Sequence, residues 1–204
     1  LKNNKTNSPS LWRIFYKPTS QFIKIKEDPI ILKPLIFIIL IIVIEIILVL
    51  LTQRFEYSIF GETVTVMPWY LLVNWTGTFL LEVITNLLIF IFIISLFSFL
   101  VAKLFRLIIT YKQIASMMTH IYTLSIINVT IYVFLPRISD GGSINDWFYQ
   151  SILITYIIVT LWQVMLVVNG LKVISTNEPP KIFYWLIAII FLLFNTYLFI
   201  HFNF

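Results

Sequence analysis

A chain of 204 residues with 60% hydrophobic and 11% charged positions does not disperse its apolar residues as a water-soluble domain does. They come in blocks of about 20 that carry one charge or none, long enough at about 1.5 Å per residue to cross a hydrocarbon core of about 30 Å. The net charge of +5 does not point to nucleic acid, because the cations stand beside the apolar blocks, and the lack of cysteine excludes disulfides, thiolate metal sites and a cysteine nucleophile.

The first ten residues are polar. From Leu11 to Lys26, the apolar Trp12, Ile14, Phe15, Phe22 and Ile23 are interspersed with Arg13, Lys17, Lys24 and Lys26, and Pro18 divides the segment into two short pieces. Such a segment can lie in the headgroup plane with its aromatics inward and its cations on lipid phosphates. The expected membrane-surface anchors are Trp12, Arg13, Phe15, Lys17, Phe22, Lys24 and Lys26; the plainer reading is a basic flank to the first span. Asp28-Pro29 suits a helix start, with Asp as cap and Pro in the first turn. The first span is expected over 30–52, or from Pro34 after a bend, and carries Glu45. In the long connection that follows, 53–77, Gly61-Glu62 suits the turn of a small hairpin. Trp69, Tyr70 and Trp75 suit the membrane–water boundary.

The second span is expected over 79–101. Lys103, Arg106 and Lys112 then form an elbow too cationic for the bilayer interior. The third span, 113–135, holds His120, Thr123, Ser125, Asn128 and Thr130 and is closed by Pro136. Unsatisfied polar groups are costly in hydrocarbon, so this helix should face protein and stand inside a bundle. A short polar loop leads to the fourth span, 147–169, which Gly170 and the run from Ser175 to Pro180 are expected to end. The fifth span is 182–201. The expected fold class is all-α: a bundle of five transmembrane helices over 30–204, led by a cytoplasmic amphipathic segment, 1–29, with an in-plane helix.

Lys and Arg number seven up to Lys33, three in the elbow and two in the loop before the fifth span, against Arg54 and Arg137 on the other side. By the positive-inside rule the chain is a multi-pass protein of the cell membrane, N-terminus cytoplasmic and C-terminus outside. A cleaved signal peptide is not expected, because the first apolar block is too long and starts about 30 residues in.

No catalytic set stands out. There is no HExxH, no Gly-rich phosphate loop and no GxSxG elbow, and Ser116 one turn from His120 lacks an oxyanion arrangement. Neither an enzyme activity nor a cofactor or metal is expected. The sharper signal is depth. Glu45, Asn86 and Asn128 each fall about seven residues from the outer end of their spans, roughly 10 Å, and Thr155 and Asn195 fall near the same level. Chance alignment aside, two readings stand. One is a hydrogen-bonded layer gluing the helices, with Glu45 neutral; the other is a small-molecule or ion site with Glu45 as its charge. Ser95, His120 and Gln163 form a weaker level nearer the cytoplasm.

The order of parts resembles the Yip family of five-span membrane proteins, in its bacterial branch. The likeness lies in Phe15-Tyr16-Lys17-Pro18 followed by Phe22-Ile23, in Pro34 near the start of the first span, and in Ala102-Lys103-Leu104-Phe105 leading to Tyr111-Lys112-Gln113. It continues through Trp162, Gly170-Leu171 and Lys181. Family members often carry a proline within the third span; here none lies between Pro34 and Pro136 except Pro68, a departure from that pattern. The resemblance implies a non-enzymatic scaffold or accessory subunit that touches the lipid bilayer and another membrane protein or a second copy of itself. An ABC-type efflux component in a Gram-positive bacterium is one such partner. A transporter or permease subunit with a pathway at the outer polar layer is the alternative.

Overall fold

Pro18 cannot donate to the turn before it, and the lead-in divides there into α1 (Arg13–Tyr16) and α2 (Pro18–Glu27) with Lys17 between them. The computed structural model describes residues 9–11, 13–52, 57–59, 62–64, 69–124 and 146–203. Trp12, Asn128 and the outer part of the predicted third span therefore lie outside the described residues, as does the side chain of Glu45. Among the described residues, five further helices follow α2: α3 (Leu32–Thr52), α4 (Trp69–Leu104), α5 (Tyr111–Tyr122), α6 (Asp146–Ile174) and α7 (Lys181–Asn203). Between α3 and α4, β1 (Tyr57–Ile59) pairs antiparallel with β2 (Glu62–Val64), Ser58 opposite Thr63; the hairpin lies where the sequence suggests one, but Glu62 pairs with Ile59 in the strand instead of forming the turn.

Several boundaries differ from the sequence expectation. Asp28 does not start α3; its backbone N–H donates to Lys24 O at 2.7 Å and closes α2, and α3 begins at Leu32 with Pro34 in its first turn. Helix α4 begins at Trp69, directly after Pro68, so the boundary aromatics are helical rather than part of the connection. Helix α6 runs past Gly170 to Ile174, for a packing reason given below. Among the described residues, Ile84–Leu104 and Leu153–Ile174 are long and apolar enough to cross a membrane, and Leu32–Ile44 and Lys181–Tyr197 are shorter apolar helices.

Helix α5 stands at the centre. It packs against α2, α3, α4 and α6, while α7 closes the far side against α4 and α6. Every residue from Ile114 to Leu124 is buried, which is what its polar content demands of a helix in hydrocarbon. Helix α4 turns Ile91, Ile94, Ser95, Ser98 and Ala102 inward at helical spacing and leaves Ile89, Phe92, Ile93, Leu96, Phe97 and Leu100 exposed. An exposed face that is itself apolar suits lipid, not water. The core is continuous from Ile14, Phe22 and Ile25 of the lead-in through Phe90 and Tyr122 to Phe191. The lead-in is part of this core rather than a separate body.

The elbow is built by two local devices. At its start Leu107 N–H donates to Ala102 O (2.9 Å) and Arg106 N–H to Lys103 O (3.0 Å), the paired bonds of a Schellman helix end. That motif needs a left-handed residue, and Arg106 supplies it at φ 55° without the freedom of glycine. At its far end Thr110 caps α5: its hydroxyl accepts from Gln113 N–H, and the Gln113 side chain accepts from Thr110 N–H in return. Between them the chain alternates buried Leu107, exposed Ile108 and buried Ile109. Because Arg106 is exposed and strained, Arg106→Gly is expected to leave the melting temperature of the solubilised protein unchanged or to raise stability by up to about 1 kcal/mol, while Arg106→Val lowers it. A clear loss of stability in the glycine variant would mean that the Arg106 side chain itself holds the elbow.

Candidate functional site

The N-terminal end of α5 and the C-terminal end of α6 form a seat for the lead-in, held by hydrogen bonds from both helices. Gln113 Nε2 donates to Lys26 O (2.8 Å) and Ser116 Oγ to Ile30 O (2.8 Å), two carbonyls at and beyond the end of α2. Asn169 Nδ2 donates to Thr19 Oγ1 at 3.3 Å. Lys26 extends its ammonium to the C-terminus of α6, donating to Val173 O (3.3 Å) and Ser175 O (3.1 Å), where carbonyls lack helical partners and the helix dipole favours a cation. Ser10 N–H meets Gln21 Oε1 at 2.7 Å, and Gln21 is buried. Lys26, assigned by sequence to lipid phosphates, is thus a fastener between α2 and α6.

At Gly170 side chains of two other helices close onto the backbone of α6. A Cβ placed there would stand 2.4 Å from Met117 Sδ on α5 and 3.1 Å from Phe22 Cε1 on α2. All three residues are buried, so the glycine admits the phenyl ring between α5 and α6 and does not end its helix. Phe22 has no exposed surface left for lipid, which corrects its reading as a membrane anchor. Phe15 is half-buried against the same core. Arg13 and Lys17 are exposed and Lys24 is half-exposed.

The outer polar layer is gathered only in part among the described residues. Asn195 is buried, donating Nδ2 to Tyr122 Oη (3.3 Å) and to Phe191 O (2.8 Å), while Tyr156 Oη donates to Asn195 O at 2.5 Å. This node ties α5, α6 and α7, with two tyrosines that sequence reasoning left out. Thr155 turns its hydroxyl onto Ser151 O of its own helix, and Asn86 is half-buried on α4. Asn128 and the side chain of Glu45 lie outside the described residues.

The inner level is fully enclosed: Ser95, His120 and Gln163 are buried, together with Ser116, Thr119 and Thr123. Most of these groups bond to backbone. Ser95 Oγ donates to Ile91 O, Thr119 Oγ1 to Ala115 O, and Thr123 Oγ1 to His120 O. His120 Nδ1 lies 2.7 Å from Ser116 O; a carbonyl only accepts, so Nδ1 carries the proton. Among the described residues, Ser98 Oγ and Thr160 Oγ1 are buried without a partner. Beside the elbow, Tyr111 meets Phe99 edge-on at 6.0 Å, and burial pushes its phenol above its usual pKa.

A family model described as the Yip1 domain matches residues 12–201. Comparison with curated proteins gives no match, and neither does comparison with solved structures.

Proposed function

The chain belongs to the Yip1 domain family, and from that premise we propose that it is a non-enzymatic, five-span scaffold or accessory subunit for another membrane protein. The partner class favoured is an ABC-type efflux component in a Gram-positive cell membrane. One observation carries the scaffold reading: the buried polar side chains of α5 are used within the bundle, on the lead-in or on backbone carbonyls. An interior arranged that way supports a rigid body that works through its outer faces. Affinity purification of the full chain from its native membrane tests it. Stoichiometric recovery with a transporter subunit is the expected result, and recovery of the chain alone would sink the reading.

The second reading, a transporter subunit, draws on the partnerless Ser98 and Thr160 hydroxyls and on the Asn195 node. Flux through liposomes holding the chain alone would establish it. Glu45 separates the two further. If it is neutral glue, Glu45→Gln should leave stability and function nearly intact, and Glu45→Leu should cost about 1–2 kcal/mol. A stably folded but inactive Gln variant would favour the site.

The proposed orientation puts the elbow in the cytoplasm and the hairpin outside. The chain has no cysteine, so single ones can be introduced cleanly. An impermeant thiol reagent on intact cells should label Ser58→Cys and spare Lys112→Cys. The reverse pattern would invert the topology.

A further inference from the structure

Docking divides the lead-in into two faces. Ile14, Gln21, Phe22 and Ile25 are turned into the protein and have almost no exposed surface. Arg13 and Tyr16 on α1, Lys17 between the two helices, and Ser20, Ile23 and the half-exposed Lys24 on α2 form the outward stripe of the lead-in. Tyr16 is 65% exposed and Ile23 47% exposed, each beside a cation. No described carboxylate forms an ion pair with Arg13, Lys17 or Lys24. The stripe is held in place, because Phe22 sits against Gly170 and Lys26 is bonded to the end of α6. Just beyond it, Leu32 and Ile36 stand 66% and 48% exposed on α3, so the outward apolar surface of the bundle begins where the lead-in ends.

We propose that this outward face is a docking surface for anionic phospholipid headgroups. An amphipathic helix usually binds a bilayer through its apolar face, but here that face is already used by α5 and α6. Charge is what remains, and cations at the edge of an apolar belt meet headgroup phosphates at the depth where Tyr16 and Ile23 meet the acyl boundary. Binding should therefore be selective for net negative lipid and sensitive to salt, unlike simple insertion. An acidic protein segment would satisfy the cations but would leave the adjacent apolar side chains without a role.

The test uses the full chain in detergent, titrated with phosphatidylglycerol or phosphatidylcholine and read as bound-lipid adducts by native mass spectrometry. Phosphatidylglycerol should bind tighter, and added salt should narrow the difference. At about 1 kcal/mol for each cation near a headgroup surface, removing one weakens the anionic lipid about fivefold. Arg13→Gln, Lys17→Gln and Lys24→Gln together should weaken it about a hundredfold, with phosphatidylcholine unchanged. All three side chains point away from the core, so the melting temperature should hold; should it fall, the salt series on the unaltered chain decides. Equal binding of the two lipids, or a salt-insensitive preference, would overturn the proposal. So would an unaltered affinity in a folded triple variant, or displacement of the lipid by inorganic phosphate or an acidic peptide at matching concentration.

Discussion

Gly170→Leu is expected to drive the lead-in off the bundle. The first carbon of any side chain at 170 already stands 2.4 Å from Met117 Sδ and 3.1 Å from Phe22 Cε1, and leucine adds three more carbons. Met117 and Phe22 are both fully buried, so neither can relieve a large side chain by turning out of the core. Overpacking of this kind costs about 1–3 kcal/mol, and more where the backbone on each side is fixed. Here α5 and α6 are fixed by the surrounding bundle, whereas α2 packs through one face only and leaves Ser20, Ile23 and Glu27 exposed on the other; the strain should be released by losing α2. Thermal melting of the solubilised variant should fall by several degrees, and proteolysis around Lys17 should become fast. Gly170→Ala should be milder, since a methionine can rearrange around one methyl group. Combining Gly170→Leu with Met117→Ala should recover part of the loss, a coupling expected only of residues in contact. Phe22→Ala reaches the same undocked state from the other side, at about 3 kcal/mol. If Gly170→Leu melts and resists protease like the unaltered chain, the close crossing does not hold the lead-in.

Much of this architecture was readable from residue types. Pro18 divides the lead-in because a missing N–H acts locally, and α5 is enclosed because its hydroxyls, amide and imidazole cannot face hydrocarbon. What failed was mostly the choice of apolar neighbour. An amphipathic pattern says that Phe22 is buried and that Lys26 has a polar target, but lipid and protein interior are equally apolar to Phe22. A phosphate and a helix C-terminus, likewise, both suit an ammonium. Gly170 misled for a related reason: glycine ends helices and also permits close crossings, and only the ring of Phe22, 148 positions away in sequence, decides between them. Asp28 followed by proline has the look of an N-cap, yet the helix it touches is the one before it. Asn195 is legible in the sequence, but its partners Tyr122 and Tyr156 are not, because tyrosines in a membrane chain are first read as boundary residues, while these two turn their hydroxyls to Asn195. The Thr110–Gln113 capping box is legible in the sequence as T-x-x-Q, the spacing that lets each side chain reach the other's backbone N–H.

Lys26→Met is the second substitution expected to have a large effect, and it isolates electrostatics from packing. Methionine keeps an unbranched stem of similar length, so contacts along the alkyl chain survive. The ammonium and its two hydrogen bonds to Val173 O and Ser175 O do not. Hydrogen bonds to a charged group contribute about 1.5–3 kcal/mol, and a cation at a helix C-terminus about 0.3–1 kcal/mol. Lys26 is only half-buried and water can replace part of what is lost, so a net cost of about 2 kcal/mol is expected. The loss should be local before it is global: amide exchange should rise at the end of α6 and along α2, while the centre of α5 stays protected. Lys26→Arg should retain most of the stability, because the charge remains and the fork can still reach a carbonyl. Gln113→Ala, which removes the bond to Lys26 O and the Gln113 half of the α5 capping box but not the ammonium, should loosen α2 and the first turn of α5 without disturbing the end of α6. Unchanged exchange at residues 171–177 in Lys26→Met would show that the α6 carbonyls are satisfied by water, and that the Phe22–Gly170 packing and the Gln113 and Ser116 bonds keep the lead-in seated.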